Sequence, residues 1–184
     1  MWHIFLVALL LVQLGASYAG SFDDPYLGNA TLYYCEAAYC GDYMTRVYNQ
    51  EATGFQPVYE FDGKDETKGF LGYNDADKNI WLVYRGSADI ANWATNLKAL
   101  LISCPDSWNL DSCKVHKGFI HAVQDVIEGI WSQLSALMNK YPTYKVVITG
   151  HSLGAALATV TATELVTARG VDKNMVQLWH YGSP

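Results

Sequence analysis

Residues 145–156 read KVVITGHSLGAA, and within them Gly150-His151-Ser152-Leu153-Gly154 sets one serine between two glycines, each two residues away. A serine hydroxyl can serve as the nucleophile of acyl transfer under three conditions. A turn must present it, a base must take its proton, and N–H donors must receive the charge that develops on the attacked carbonyl oxygen. The first and third conditions are legible here. The run 145–149 is short and β-branched, as a buried strand is, and a helical run over 153–168 follows at once. A strand passing directly into a helix forces the residue between them into a strained backbone, and a Cβ at either flanking glycine would meet the strand or the helix. The five-residue pattern alone is weak, and the strand-turn-helix context gives it weight. This predicts Ser152 as the catalytic nucleophile, Gly150, His151 and Gly154 as the turn that carries it, and the helix N-terminus as a source of N–H groups and positive dipole.

A second donor has to come from another loop at the same end of the sheet. Arg85-Gly86-Ser87 leaves the strand-like run 79–84 there, which makes Ser87 the candidate; its hydroxyl could equally cap the following segment ADIANWATNL, and the two roles are compatible. The base is harder to find. After Ser152 the only acids are Glu164 and Asp172 and the only histidine is His180. Glu164 falls inside the helical run. Asp172 falls in a turn at the far end of the sheet from the serine. His180 lies in the strand-like VQLWHY and is expected to pack against a helix. His151 is expected to project away from the serine, and His116 and His121 read as structural.

These residues must be positioned by elements whose pattern is readable. Residues 31–40 have helix-compatible spacing. Runs 57–61, 67–73 and 79–84 are rich in aromatic and aliphatic side chains and separated by Asn, Asp and Gly, as strands joined by turns are. In 118–141, Ile120, Val123, Ile127, Ile130, Leu134, Leu137 and Met138 share one face of a long amphipathic helix that stops before Pro142. Residues 175–181 are again strand-like. The succession strand, helix, strand, helix, strand predicts an α/β fold with a mainly parallel sheet flanked by helices. Asp75, Asp77 and Asn79 imitate the start of a calcium loop, but Ile80 and Gly86 stand where Gly and Glu are needed, so a hairpin turn is expected there and no metal site.

The 184 residues carry 12 Lys+Arg against 18 Asp+Glu, a net charge of −6, with the basic residues scattered singly, which excludes an electrostatic footprint for nucleic acid. Residues 1–19 (MWHIFLVALLLVQLGASYA) read as a secretory signal peptide: the apolar run is too short to span a bilayer and ends in small residues. No other stretch approaches a transmembrane segment, and 20–184 reads as a single domain of a secreted chain. Secretion makes Cys35, Cys40, Cys104 and Cys113 disulfide candidates. Proximity favours Cys104 with Cys113, while Cys35 and Cys40 need not pair together, and the spacings do not suggest zinc. Asn29-Ala30-Thr31 is an N-glycosylation sequon.

Taken in order, VYRGSADIANW, VHKGF, KYPTYKVVITGHSLG and WHYGSP resemble the fungal-type (class 3) lipase family of α/β-hydrolases over most of 31–184. The resemblance implies Ser152 as nucleophile, Ser87 and the backbone N–H of Leu153 as the oxyanion hole, and no metal or organic cofactor. It implies that ADIANWATNL is a lid with Ile90, Trp93 and Leu97 facing the substrate, although periodicity alone fits an ordinary core helix as well. The implied partner is a lipid ester at a lipid–water interface, acylglycerols first, phospholipids next and feruloyl-type esters after them. The family's order is Ser, then Asp, then His, so its acid and base are expected beyond Pro184, with the last strands of the sheet missing and Cys40 separated from a family partner near the C-terminus. The expectation is therefore a secreted carboxylic-ester hydrolase, incomplete at its C-terminus and nearly inactive as written. The competing expectation is a catalytically inactive secreted lipid-binding or interaction protein on the same scaffold.

Overall fold

Two tight turns and two helical crossovers set the central sheet. The computed structural model describes residues 24–64, 66–89 and 100–184. The expected signal peptide and the expected lid residues Ile90, Trp93 and Leu97 lie outside the described residues. Helix α1 spans Pro25–Ala37, followed by β1 (Gln56–Asp62), β2 (Lys68–Asn74), β3 (Asn79–Tyr84), β4 (Leu101–Ser103), β5 (Lys114–His116), α2 (Lys117–Lys140), β6 (Lys145–His151), α3 (Leu153–Thr167) and β7 (Val176–Tyr181). The main sheet has the order β1-β2-β3-β6-β7. It is mixed. Short turns join β1, β2 and β3 as an antiparallel meander, and helical crossovers place β6 and β7 parallel to β3. In the β2–β3 turn Asp77 accepts from Asn79 N at 2.9 Å and from Trp81 Nε1 at 3.1 Å, so its carboxylate closes a hairpin, as expected. Pro57 lies on the outermost strand, beside a register shift, where a missing donor costs no ladder bond.

Alternation along the central strands divides the core into two layers. Ile80, Leu82 and Tyr84 of β3 and Val146 and Ile148 of β6 pack with Ile120, Val123, Ile127, Ile130, Leu134 and Leu137 of α2 and with Leu153 and Leu157 of α3. On the other face Trp81, Val83 and Val147 meet α1 through Leu27, Ala30, Tyr34 and Ala37. The second layer is largely aromatic: Tyr34 lies 4.4 Å from Trp81 and 5.1 Å from Phe55, and Phe70 stacks on Tyr43 at 4.9 Å between ring centroids. Helix α1 starts where the sequence chemistry asks it to. Asp24 accepts the Leu27 N–H at 3.0 Å and Pro25 occupies the first helical position.

The β4–β5 hairpin was not legible in the sequence, because each strand is only three residues long. Cys104 and Cys113 are joined across it, the pairing that proximity favours. Cys35 and Cys40 are both free and not bonded to each other. Cys35 is buried with Sγ 3.3 Å from Thr149 Oγ1, and burial pushes its thiol pKa up to about 11, which keeps it protonated and unreactive at neutral pH. Among the described residues no helix is long and apolar enough to cross a membrane.

Three measurements check this packing. Phe70→Ala should cost about 3–5 kcal/mol in urea unfolding, since a fully buried ring leaves a cavity in the aromatic layer. Gly28→Ala should instead raise stability by roughly 0.5–1 kcal/mol, because a Cβ there meets nothing within 4 Å and helix propensity favours alanine. Iodoacetamide on the native protein should alkylate exposed Cys40 and spare Cys35 until denaturant is added.

Candidate active site

Only one residue separates the end of β6 from the start of α3, and that residue is Ser152. Its backbone sits at φ 55° and ψ −124°, a region that L side chains enter only when the surroundings force them. Two hydrogen bonds supply that force. Ser152 N donates to Tyr181 O at 2.9 Å, and Ala155 N donates to Ser152 O at 2.9 Å to close the first turn of α3. The glycines act as expected. A Cβ on Gly150 would lie 2.3 Å from the carbonyl oxygen of Gly154, and one on Gly154 would lie 2.6 Å from that of Tyr84. Strand and helix are therefore in backbone contact, and Ala155, Ala156 and Ala158 keep α3 close along its length.

The loop after β3 reaches the same end of the sheet, since Tyr84 pairs with Gly150 in the parallel ladder. Its Gly86 lies against the turn, where a Cβ would come within 2.6 Å of His151 O. Ser87 follows, 3% exposed, and its hydroxyl has two engagements. It donates to Glu66 Oε2 at 3.0 Å and accepts from Asp89 N at 3.2 Å. The second bond is the local capping geometry; the first uses the hydroxyl's single proton. With that proton on Glu66, the donor that Ser87 can offer to an anion is its backbone N–H. Leu153 offers another, because the first N–H groups of α3 have no carbonyl within the helix to bond. Glu66 escaped the sequence reading: it lies in the β1–β2 loop, 21 residues away, with no local pattern to mark it.

The histidines and acids divide as follows. His151 turns toward the end of α1, where its Nδ1 hydrogen-bonds Tyr39 Oη at 2.9 Å. Tyr39 also occupies the space beside Gly86, so this ring holds the two loops together, a role the sequence did not signal. His116 stacks on Phe119 with ring centroids 4.3 Å apart, and His121 is exposed on α2. Glu164 accepts from Trp108 Nε1 and Arg169 Nε, and Asp172 accepts the Asn174 N–H at the opposite end of β7. One expectation needs correction. His180 is not packed away but exposed, together with Leu178 two residues before it, because among the described residues β7 is the edge of the sheet with a neighbouring strand on one side. None of the described side-chain hydrogen bonds joins a histidine to Ser152.

Residues 81–184 match the model of the family "Lipase (class 3)". The chain belongs to the class 3 lipase family. This lipase-family chain is 33% identical to a lipase of Rhizomucor miehei over 120 residues, which are 65% of the chain and 32% of that protein. It is 37% identical to a secreted mono- and diacylglycerol lipase of Fusarium solani over 115 residues, 62% of the chain and 32% of the relative. Among solved structures, the native Rhizomucor miehei lipase propeptide complex superposes with a TM-score of 0.73 at 27% identity, covering 86% of this chain and 51% of that one. A triacylglycerol lipase whose catalytic centre is described as a serine protease triad superposes at 0.73 and 26% identity, covering 83% and 60%. The fold is that of the α/β-hydrolases. The chain spans about a third of the length of these two curated relatives.

The serine turn generates a prediction about stability. Gly150→Ala should destabilise the protein by about 2 kcal/mol or more, because the new methyl meets backbone rather than a movable side chain. A urea midpoint equal to that of the parent would overturn the backbone-contact account.

Proposed function

We propose that this class 3 lipase chain carries the nucleophile of a carboxylic-ester hydrolase acting on lipid esters, acylglycerols foremost and phospholipids next. The observation that carries the reading is the Ser152 turn: a serine held at φ 55° between a parallel strand and the unbonded N–H groups at the start of a helix. Ser152 Oγ attacks the acyl carbonyl carbon, and the N–H groups of Leu153 and Ser87 receive the oxyanion. Collapse expels the alcohol and leaves an acyl-serine, which water then hydrolyses. This route uses no metal or organic cofactor.

The proton of Ser152 needs a histidine held by a carboxylate. In this reading residues 20–184 supply the nucleophile and oxyanion side of the centre, and the family's order sets acid and base after the nucleophile. The family resemblance assigns Ile90, Trp93 and Leu97 to a lid, and residues 1–19 are read as directing the chain to the extracellular side. The names of relatives support the acylglycerol preference and the secretion, since three of them are secreted mono- and diacylglycerol lipases.

A fluorophosphonate probe and a short-chain ester, applied to the 184-residue protein and to Ser152→Ala, test the proposal. Labelling should be slow, because a serine without its base is a weak nucleophile, and what labelling there is should fall on Ser152 and vanish in the variant. Ester turnover should lie on the order of 10⁶ below that of a complete triad, as when a catalytic histidine is removed. Labelling elsewhere, or turnover insensitive to the substitution, would overturn the assignment.

A further inference from the structure

The sequon Asn29-Ala30-Thr31 is folded into α1, where its two polar side chains have opposite fates. Asn29 is exposed. Thr31 is 0% exposed, and its Oγ1 lies 2.9 Å from Leu27 O, 2.8 Å from Gly28 O and 2.6 Å from the hydroxyl of Tyr181. Tyr181 in turn donates to Gly28 O at 3.1 Å. An acceptor sequon is read as an accessible peptide with its hydroxyl residue free, so the folded protein cannot present this one.

The nascent chain can. A 13-residue helix is marginal on its own, and the tyrosine that seals Thr31 lies 150 residues later in the sequence. Until β7 has been made and paired, α1 lacks the tyrosine that seals Thr31. The finished fold also accommodates a modification: a Cβ built on Gly28 meets nothing within 4 Å, so the outer side of α1 is open. One turn further along, Leu32 is 50% exposed and lines a shallow groove with Asn29, Tyr33, Glu36, Gln50 and Glu51, which leaves room for tethered sugars with both apolar and polar groups to lie on.

From this juxtaposition we infer that Asn29 carries an N-linked glycan, added before β7 closes over α1, with its first sugars lying over the Leu32–Tyr33 groove. In the transfer, the Asn29 carboxamide nitrogen forms a bond to C1 of the first sugar of a lipid-pyrophosphate-linked oligosaccharide. The C1–oxygen bond to pyrophosphate breaks, the lipid pyrophosphate leaves with the bonding pair, and the amide proton passes to a base of the transferase. The inference rests on the extracellular reading above, and its test separates the two.

The full chain is translated with rough microsomes, once with residues 1–19 and once with a leader from an unrelated secreted protein in their place. An endoglycosidase-sensitive upward band shift is expected, absent in Asn29→Gln and retained in Thr31→Ser. The glutamine variant changes only an exposed helical position, so its folding is preserved. Unglycosylated folded chain offered to the same membranes afterwards should stay unmodified, while urea-unfolded chain diluted into them should be accepted. If the borrowed leader alone yields the glycan, the site stands and the native leader reading fails. Chain protected from added protease inside the vesicles yet unshifted with either leader overturns the site. Equal modification of folded and nascent chain overturns the timing.

Discussion

A polypeptide can pass from a strand to a helix through one residue only if backbone meets backbone, and everything at the candidate centre depends on that contact. With the Gly150 and Gly154 main chains separated by less than a methyl group's room, no side chain could relax the bend, and Ser152 is left in a conformation it would not choose. Strain of this kind persists only where the surroundings overdetermine it. Here they do so through the parallel ladder on both sides of β6, the alanines that let α3 settle on the sheet, and the Tyr181 carbonyl that takes the serine's amide.

The two hydrophobic layers have different work. The aliphatic layer under α2 and α3 clamps the crossover helix that begins directly after Ser152. The aromatic layer under α1 fixes the end of that helix, and with it Tyr39, which touches both His151 and the Gly86 loop. The loop bearing Gly86 and Ser87 is thus located from behind by a phenol and from the side by the Glu66 carboxylate.

Much of this was legible in the sequence, for physical reasons. Helix α2 could be bounded because its apolar face repeats every three to four residues up to Pro142, and β3 and β6 because both faces of a central strand demand unbroken apolar runs. The turn around Ser152 was legible because glycine spacing reports backbone proximity directly. What escaped were relationships between distant segments. Glu66 with Ser87 and Tyr39 with His151 join residues 21 and 112 positions apart, and no local periodicity records such pairs. The exposure of His180 escaped for a related reason: an edge strand and a central strand can share one pattern, and only the sheet order distinguishes them.

The carbonyl of Tyr181 is the last point of support for the serine's amide, and it belongs to β7, the outermost strand among the described residues. Ser152 is therefore wired to the perimeter of the sheet rather than to its middle. Among the described residues no strand lies outside β7, and a neighbouring strand there would stiffen the peg from which Ser152 hangs. The firmness of the turn at position 152 is in this sense a property of how the rim is finished.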